Sequence, residues 1–180
     1  MIETAIVHSE ETNKIFCEWM AKQTNGEMTL DPYVAKTIAH VETEDGKSFG
    51  DKDIMMVSAF SQWTTHSAEV TLVSNGAKKA KATKLYIVTV LDFVFNMCGR
   101  SCLMARIPAD NHKSMAVADM LGMRNKCKLE DCFGPGKDGY LYVLTKKQWL
   151  QGSWASSFAP IPVNTDRKTA ETAHGVLNGV

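Results

Sequence analysis

Long apolar runs are missing from this sequence, and so is any excess of charge of one sign. The longest apolar stretch is interrupted by Asp92 and Asn96, short of the roughly 18 residues that a bilayer span requires. No membrane association is expected. Lys plus Arg number 20 and Asp plus Glu number 20, so no global field draws the chain to nucleic acid or to an anionic lipid surface. Cysteine is sparse: five residues, an odd count, with no Cys-x-x-Cys pair. Cys98 and Cys102, like Cys127 and Cys132, have no nearby His to complete a ligand set, so no metal is expected. No signal-peptide pattern opens the sequence, and reduced thiols in a cytoplasmic protein are the expectation. No internal repeat is visible.

What is present fits one mixed domain. The chain has 180 residues, 44% hydrophobic and 22% charged, enough to bury a core without disulfide staples. Residues 1–155 read as a single domain. Residues 156–180, with Pro160, Pro162 and Asn164 and few large apolar groups, read as a tail that is mobile or packs on a partner.

The element pattern is mixed. Ile2 to Val7 reads as a strand, then Ser9 caps a helix from Glu10 to Gln23, with Ile15, Trp19 and Met20 as its apolar stripe. Asp31-Pro32 suggests a short helical turn. Lys36 to Thr43 reads as a strand closed by turn chemistry at Glu44 to Lys47, followed by strands Ile54 to Thr65 and Ala68 to Ser74. Ala77 to Cys98 reads as a long helix with Leu85, Val88, Leu91, Val94 and Phe95 on one face, ended by Gly99-Arg100. A strand, a long helix and a next strand, here Cys102 to Ile107, imply a crossover and parallel pairing. Later come a strand over Asn125 to Leu129, a Gly-Pro-Gly loop, a strand over Gly139 to Thr145 and a short helix from Lys146.

The most informative stretch is Asn111 to Met123, NHKSMAVADMLGM, directly after CLMARIP. Pro108 stops the strand, Asp110 or Asn111 can cap the helix, and Gly122 ends it. The spacing Asn-x-x-Ser, a short helix and Leu-Gly-Met resembles the fourth strand–helix unit of the GNAT N-acetyltransferases. The phrase DGYLYVLTKKQWL is similar to the final strand of their ribosomal-protein N-terminal acetyltransferase branch. The resemblance implies an α/β (α+β) fold: a mixed central sheet of six to seven strands flanked by about four helices. It also implies acetyl-CoA as co-substrate. By the same resemblance, Leu72, Val73 and Ser74 would pair with the pantetheine arm, Asn111 would contact that arm, and Ser114 would protonate the leaving thiol. Gly76, Ala77, Lys78, Lys79, Ala80, Lys81 and Ala82 would form the pyrophosphate loop.

The physics of such a loop stands independently of the resemblance. Backbone N–H groups at a helix start lack intrahelical partners and point at a phosphate, and the helix dipole favours the negative charge. This chain departs from the family spacing of Arg or Gln, two spacers, Gly, one spacer, Gly or Ala. Ala77 replaces the Arg or Gln and Ala80 replaces the first Gly. Lys78, Lys79, Lys81 and Lys84 supply cationic compensation.

Amine acetylation needs a neutral nucleophile, donors for the tetrahedral oxyanion and an acid for the thiolate. Glu69 is the first candidate for general base and Glu130 the second, with His40, His66 and His112 as proton-relay alternatives. Trp63, Phe60 and Tyr33 are either an acceptor wall or core, with Phe60 assigned to core. The acceptor is a primary amine of a protein or of a small molecule, and homodimerisation stays open. A second reading keeps the fold as a binding module that inhibits another protein. It draws on the altered loop, on the Pro-bearing tail and on a general resemblance to small acetyltransferase-like phage proteins that target host enzymes.

Overall fold

The computed structural model describes residues 2–6, 9–42, 49–76 and 80–152, with 2–6 and 80–83 described by their backbone alone. Val7, the Glu44–Lys47 turn, the loop residues 77–79 and the whole of 153–180 lie outside the described residues.

Local signals set most of the elements. After strand β1 (Ile2–Ile6), the Ser9 hydroxyl accepts from the Thr12 N–H and starts helix α1 (Glu10–Gln23), with Glu10 and Glu11 favourably placed in its first turn. Phe16, Cys17, Trp19 and Met20 form its buried stripe, while Ile15 of the expected stripe faces outward. Asp31-Pro32 makes a single turn, in which the Val34 and Ala35 N–H groups bond the Asp31 carbonyl at 3.1 and 2.9 Å, the second with helical spacing. Asn13, buried on α1, ties that turn down by donating to the carbonyls of Pro32 and Ala35, the latter at 2.8 Å.

Strands β2 (Lys36–Glu42), β3 (Ile54–Ser61) and β4 (Ser67–Ser74) follow as antiparallel neighbours. β3 stops short of the expected Thr65 because Gln62 takes φ +49°, outside the extended region. The crossover helix α2 (Ala80–Asp92) widens into a π-helical turn over Phe93–Met97. There the Cys98 N–H reaches back five residues to the Phe93 carbonyl at 2.8 Å. Gly99, at φ +65°, lets the Arg100 N–H close on the Val94 carbonyl at 3.0 Å and ends the helix. Tyr86, Val90, Leu91, Val94 and Phe95 face the core. Leu85, expected on that face, is 49% exposed.

Then come β5 (Cys102–Pro108), α3 (His112–Met120), β6 (Arg124–Leu129), β7 (Gly139–Thr145) and α4 (Lys146–Gln151), the last started by a Thr145/Gln148 capping box. The seven strands form one sheet in the order β1-β2-β3-β4-β5-β7-β6, at the upper end of the expected six to seven.

Period-two alternation gives each sheet face its own core. On one face α1 covers Ala39, Val41, Val57, Ala59 and Val73. On the other, α2, the π turn, α3 and α4 cover Ile38, Phe60, Leu103, Ala105, Ile107, Tyr142 and Leu144. Tyr86 locks this second layer: its hydroxyl donates to the Ile38 carbonyl at 2.9 Å and pairs with the Ser58 hydroxyl at 2.7 Å. Burial drives the Tyr86 phenol far above its ordinary range. Among the described residues no helix covers the α1-side face of β5, β7 and β6.

Cys17 gives this fold a pH signature. Burial first, then the carboxylates of Asp31 and Glu18, push its thiol up to about 11. An unfolded thiol ionises near about 8.5, so between those values the unfolded chain has lost a proton that the folded chain keeps. The contribution to stability is therefore complete below that range and disappears as pH rises through it. The urea midpoint should fall between about pH 8.5 and 11, and Cys17→Ala should flatten that fall; an unaltered slope in the variant would assign it to other groups.

Candidate active site

The site begins with a sheet that comes apart. β4 and β5 run parallel and pair only at Ser67–Cys102, Ala68–Leu103 and Glu69–Met104. Beyond that rung β4 continues to Ser74 beside β3, and β5 continues to Pro108 beside β7, each with its register intact. A gap therefore opens toward the carboxyl ends of both strands. Among the described residues, the backbone groups that face it from Val70 to Ser74 and from Ala105 onward have no strand partner. Unpaired backbone donors and acceptors of this kind are obligatory hydrogen-bonding groups. A crevice at the carboxyl ends of parallel strands is also where α/β sheets take ligands.

Two helix starts flank the opening, because β4 leads into α2 and β5 into α3. Leu72 and Ser74 of β4 are exposed, whereas Val73 packs into the α1-side core, leaving only its backbone for the gap. Gly76 turns the chain at φ +82°, and its N–H bonds the Ser74 hydroxyl at 3.1 Å. Ala77, Lys78 and Lys79 lie outside the described residues; Ala80, Lys81 and Ala82 form the first turn of α2. On the other side, the Asn111 side-chain oxygen accepts from the Ser114 N–H at 3.0 Å and caps α3. Half-buried Ser114 thus sits in the first turn of the helix that leaves β5.

Glu69 lies at the fork. Alternation puts it, with Met104 and Arg106, on the α1-side face, and its carboxylate accepts from the Arg106 Nε at 2.7 Å. The pair ties β4 to β5 just past their last shared rung. Glu69 is 13% exposed at the side chain and Arg106 46%. Nothing in the sequence signalled Arg106. The two residues are 37 apart and meet only because of the parallel register.

Two positions beyond Arg106, Pro108 borders a cavity of about 500 Å³. Ala109, Asp110 and Asn111 line it from the start of α3, Phe133, Lys137 and Asp138 from the β6–β7 loop, and Glu27 from the loop after α1. Asp138 is held below the usual carboxylate range by the Lys128 ammonium at 2.6 Å and by the Asp131 N–H. Gly139 keeps this wall in place. A Cβ there would lie 2.5 Å from the Phe133 ring and 2.9 Å from the Ile107 carbonyl oxygen, so only glycine fits.

The remaining sequence candidates fall elsewhere. His66 precedes β4, where its carbonyl binds the N–H groups of Ser101 and Cys102, at the closed end of the gap. His40 is buried on the α2 face beside Tyr86, with ring centroids 6.0 Å apart. His112 and Glu130 are exposed, at the start of α3 and just past β6. Phe60 and Trp63 pack against Phe93, and the Arg100 guanidinium lies 5.3 Å from the Trp63 ring centre, which puts Trp63 toward the closed end of the gap. Tyr33 is 74% exposed. Among the described residues no three His, Cys, Asp or Glu side chains are placed to share a metal ion, and no helix is long and apolar enough to cross a membrane.

A seven-stranded mixed sheet, forked between parallel β4 and β5 with a helix leaving each prong, has the fold of the GNAT N-acetyltransferases. Solved structures bear this out. A variant of the spermidine N-acetyltransferase SpeG from Vibrio cholerae superposes with a TM-score of 0.63 at 11% identity, over 83% of this chain and 96% of its own. The ribosomal-protein-S5-alanine acetyltransferase from Vibrio fischeri gives 0.62 at 13% identity, over 82% and 94%. The protein yncA from Salmonella typhimurium, solved with its cofactor acetyl-CoA, gives 0.58 at 14% identity, over 80% and 93%. No family model matches the sequence, and no curated protein matches it either.

Proposed function

We propose that this chain is an acetyl-CoA-dependent N-acetyltransferase that works by direct attack in a ternary complex. The observation that carries the reading is the fork between β4 and β5, with unpaired backbone on both prongs and a helix start beyond each. An extended thioester arm carrying amide groups satisfies that backbone as a short intervening strand would. Its diphosphate then falls at the start of α2, where free N–H groups, the helix dipole and the lysines of 78–84 favour it. The yncA structure, which has this fold, holds acetyl-CoA.

The acceptor amine approaches from the α1-side face, where Glu69 and the cavity beyond Pro108 lie. Its nitrogen bonds to the thioester carbonyl carbon and the carbon–sulfur bond breaks. Glu69 receives the proton released by the amine, and the Ser114 hydroxyl supplies one to the departing thiolate and regains it from solvent. The products are an N-acetyl amine and a free thiol.

Acetyl-CoA at a hundred times its dissociation constant should stabilise the fold by about 2.7 kcal/mol. For a chain of this size that raises the melting temperature by about 5–10 °C. No shift at millimolar acetyl-CoA would overturn the reading.

A further inference from the structure

We infer that Glu69 and Arg106 together select an acceptor whose amine stands next to a carbonyl or carboxylate oxygen, as in an α-amino acid or a polypeptide N-terminus. The inference rests on the N-acetyltransferase reading and names its substrate class.

The geometry of the pair is incomplete in an informative way. A guanidinium that pins a carboxylate often does so through two parallel N–H bonds. Here a single bond is made, from Nε to one oxygen of Glu69. The second Glu69 oxygen and the terminal nitrogens of Arg106 have no partner among the described residues. A mostly buried acceptor and a half-exposed fork of donors therefore sit side by side where the gap begins, just past the last shared rung. That is the complement of an amine with an oxygen two bonds beyond it: N–H toward Glu69, C=O or carboxylate toward Arg106.

Electrostatics point the same way. The Arg106 guanidinium offsets the pull of the Glu69 carboxylate toward the protonated amine, which cannot attack. An α-amino group ionises near about 8 and is readily kept neutral, whereas an alkylamine near about 10.4 is not. A polyamine would bring further cations up to Arg106. The cavity beyond Pro108 does not offset this, because most of its carboxylates already have partners. Asp138 is bridged by Lys128 at 2.6 Å, and Glu27 stands 4.0 Å from the Lys137 ammonium. Pro108 lies on the same face of β5 as Arg106, about 6.5 Å further along by strand geometry. The cavity therefore starts where the residue after an acylated N-terminus, or the side chain of a free amino acid, would continue.

The experiment measures thiol release by the full chain at saturating acetyl-CoA with four acceptors: L-alanine, the tripeptide Ala-Gly-Gly, ethylamine and spermidine. Alanine or the tripeptide should exceed ethylamine and spermidine in kcat/KM by about 30-fold or more, as charge-assisted hydrogen bonds of this kind allow. Which of the two leads distinguishes free amino acid from polypeptide. In Arg106→Met the KM for the preferred acceptor should rise by a similar factor, with the KM for acetyl-CoA held, and Arg106→Lys should recover part of the loss. Ethylamine or spermidine turned over as well as alanine and the tripeptide would overturn the inference. So would thermal stabilisation by acetyl-CoA with no turnover of any of the four. Absence of that stabilisation instead removes the acetyltransferase reading itself.

Discussion

Glu69→Gln should reduce turnover of acetyl-CoA and amine by about 10²–10⁴-fold, the usual worth of a positioned general base. The substitution is close to isosteric. Its amide oxygen can still accept from the Arg106 Nε, so the tie across the fork and the aim of Arg106 are preserved. What is lost is the capacity to take a proton. Acetyl-CoA affinity should therefore stay put while kcat falls, a split that a misfolded variant would not give. Steady-state kinetics with a thiol reagent, alongside a binding isotherm for acetyl-CoA, makes the separation. Turnover within twofold of the parent would dismiss Glu69 as base. The alternatives are less well placed: Glu130 and His112 are exposed, and His66 lies at the closed end of the gap.

Phe95→Ala should cost about 3–5 kcal/mol of folding stability, the range for truncating a large buried aromatic. In a chain of this length that lowers the melting temperature by about 6–20 °C. Phe95 is fully buried in the π turn and stacks on Trp149 of α4, with ring centroids 5.2 Å apart and planes 25° from parallel. Its carbonyl, left without an intrahelical donor, accepts from the Lys146 Nζ at 2.7 Å. One residue thus fastens the end of the crossover helix to α4. Phe95→Leu keeps much of the apolar volume and should cost clearly less. Equal losses in the two variants, read from urea midpoints, would mean that the ring stacking contributes nothing.

The elements most legible in the sequence were those whose signals are local. Ser9 and Thr145 cap their helices through their own hydroxyls, so α1 and the junction of β7 with α4 fall where the residues say. Asn111 likewise caps α3. Features set by tertiary packing were hidden. The π turn at Phe93–Met97 shares its residue types with ordinary helix and is recognisable only by its five-residue backbone bond. Ile15 and Leu85 fit a periodic stripe but face outward, because the neighbouring Phe16 and Tyr86 take the core. Leu72 to Ser74 were legible as a strand, and the crossover implied that it pairs in parallel. The family resemblance implied that Leu72 to Ser74 face a pantetheine arm and so leave their parallel neighbour, but that the pairing stops after three rungs was not legible, since nothing in SAEVTLVS marks the place. Arg106 escaped for the same reason: its role depends on a register between strands that the sequence separates by a whole helix.

A sheet usually has two rims, and both are a hazard, since a foreign strand can add to either. Here one rim, β6, is studded with Arg124, Lys126 and Lys128, which repel such additions. The fork creates two more rims that face each other from inside the molecule. A slot walled on both sides admits a single extended molecule and shuts out a second sheet, so the protein keeps unsatisfied backbone on display without offering other chains a template for aggregation.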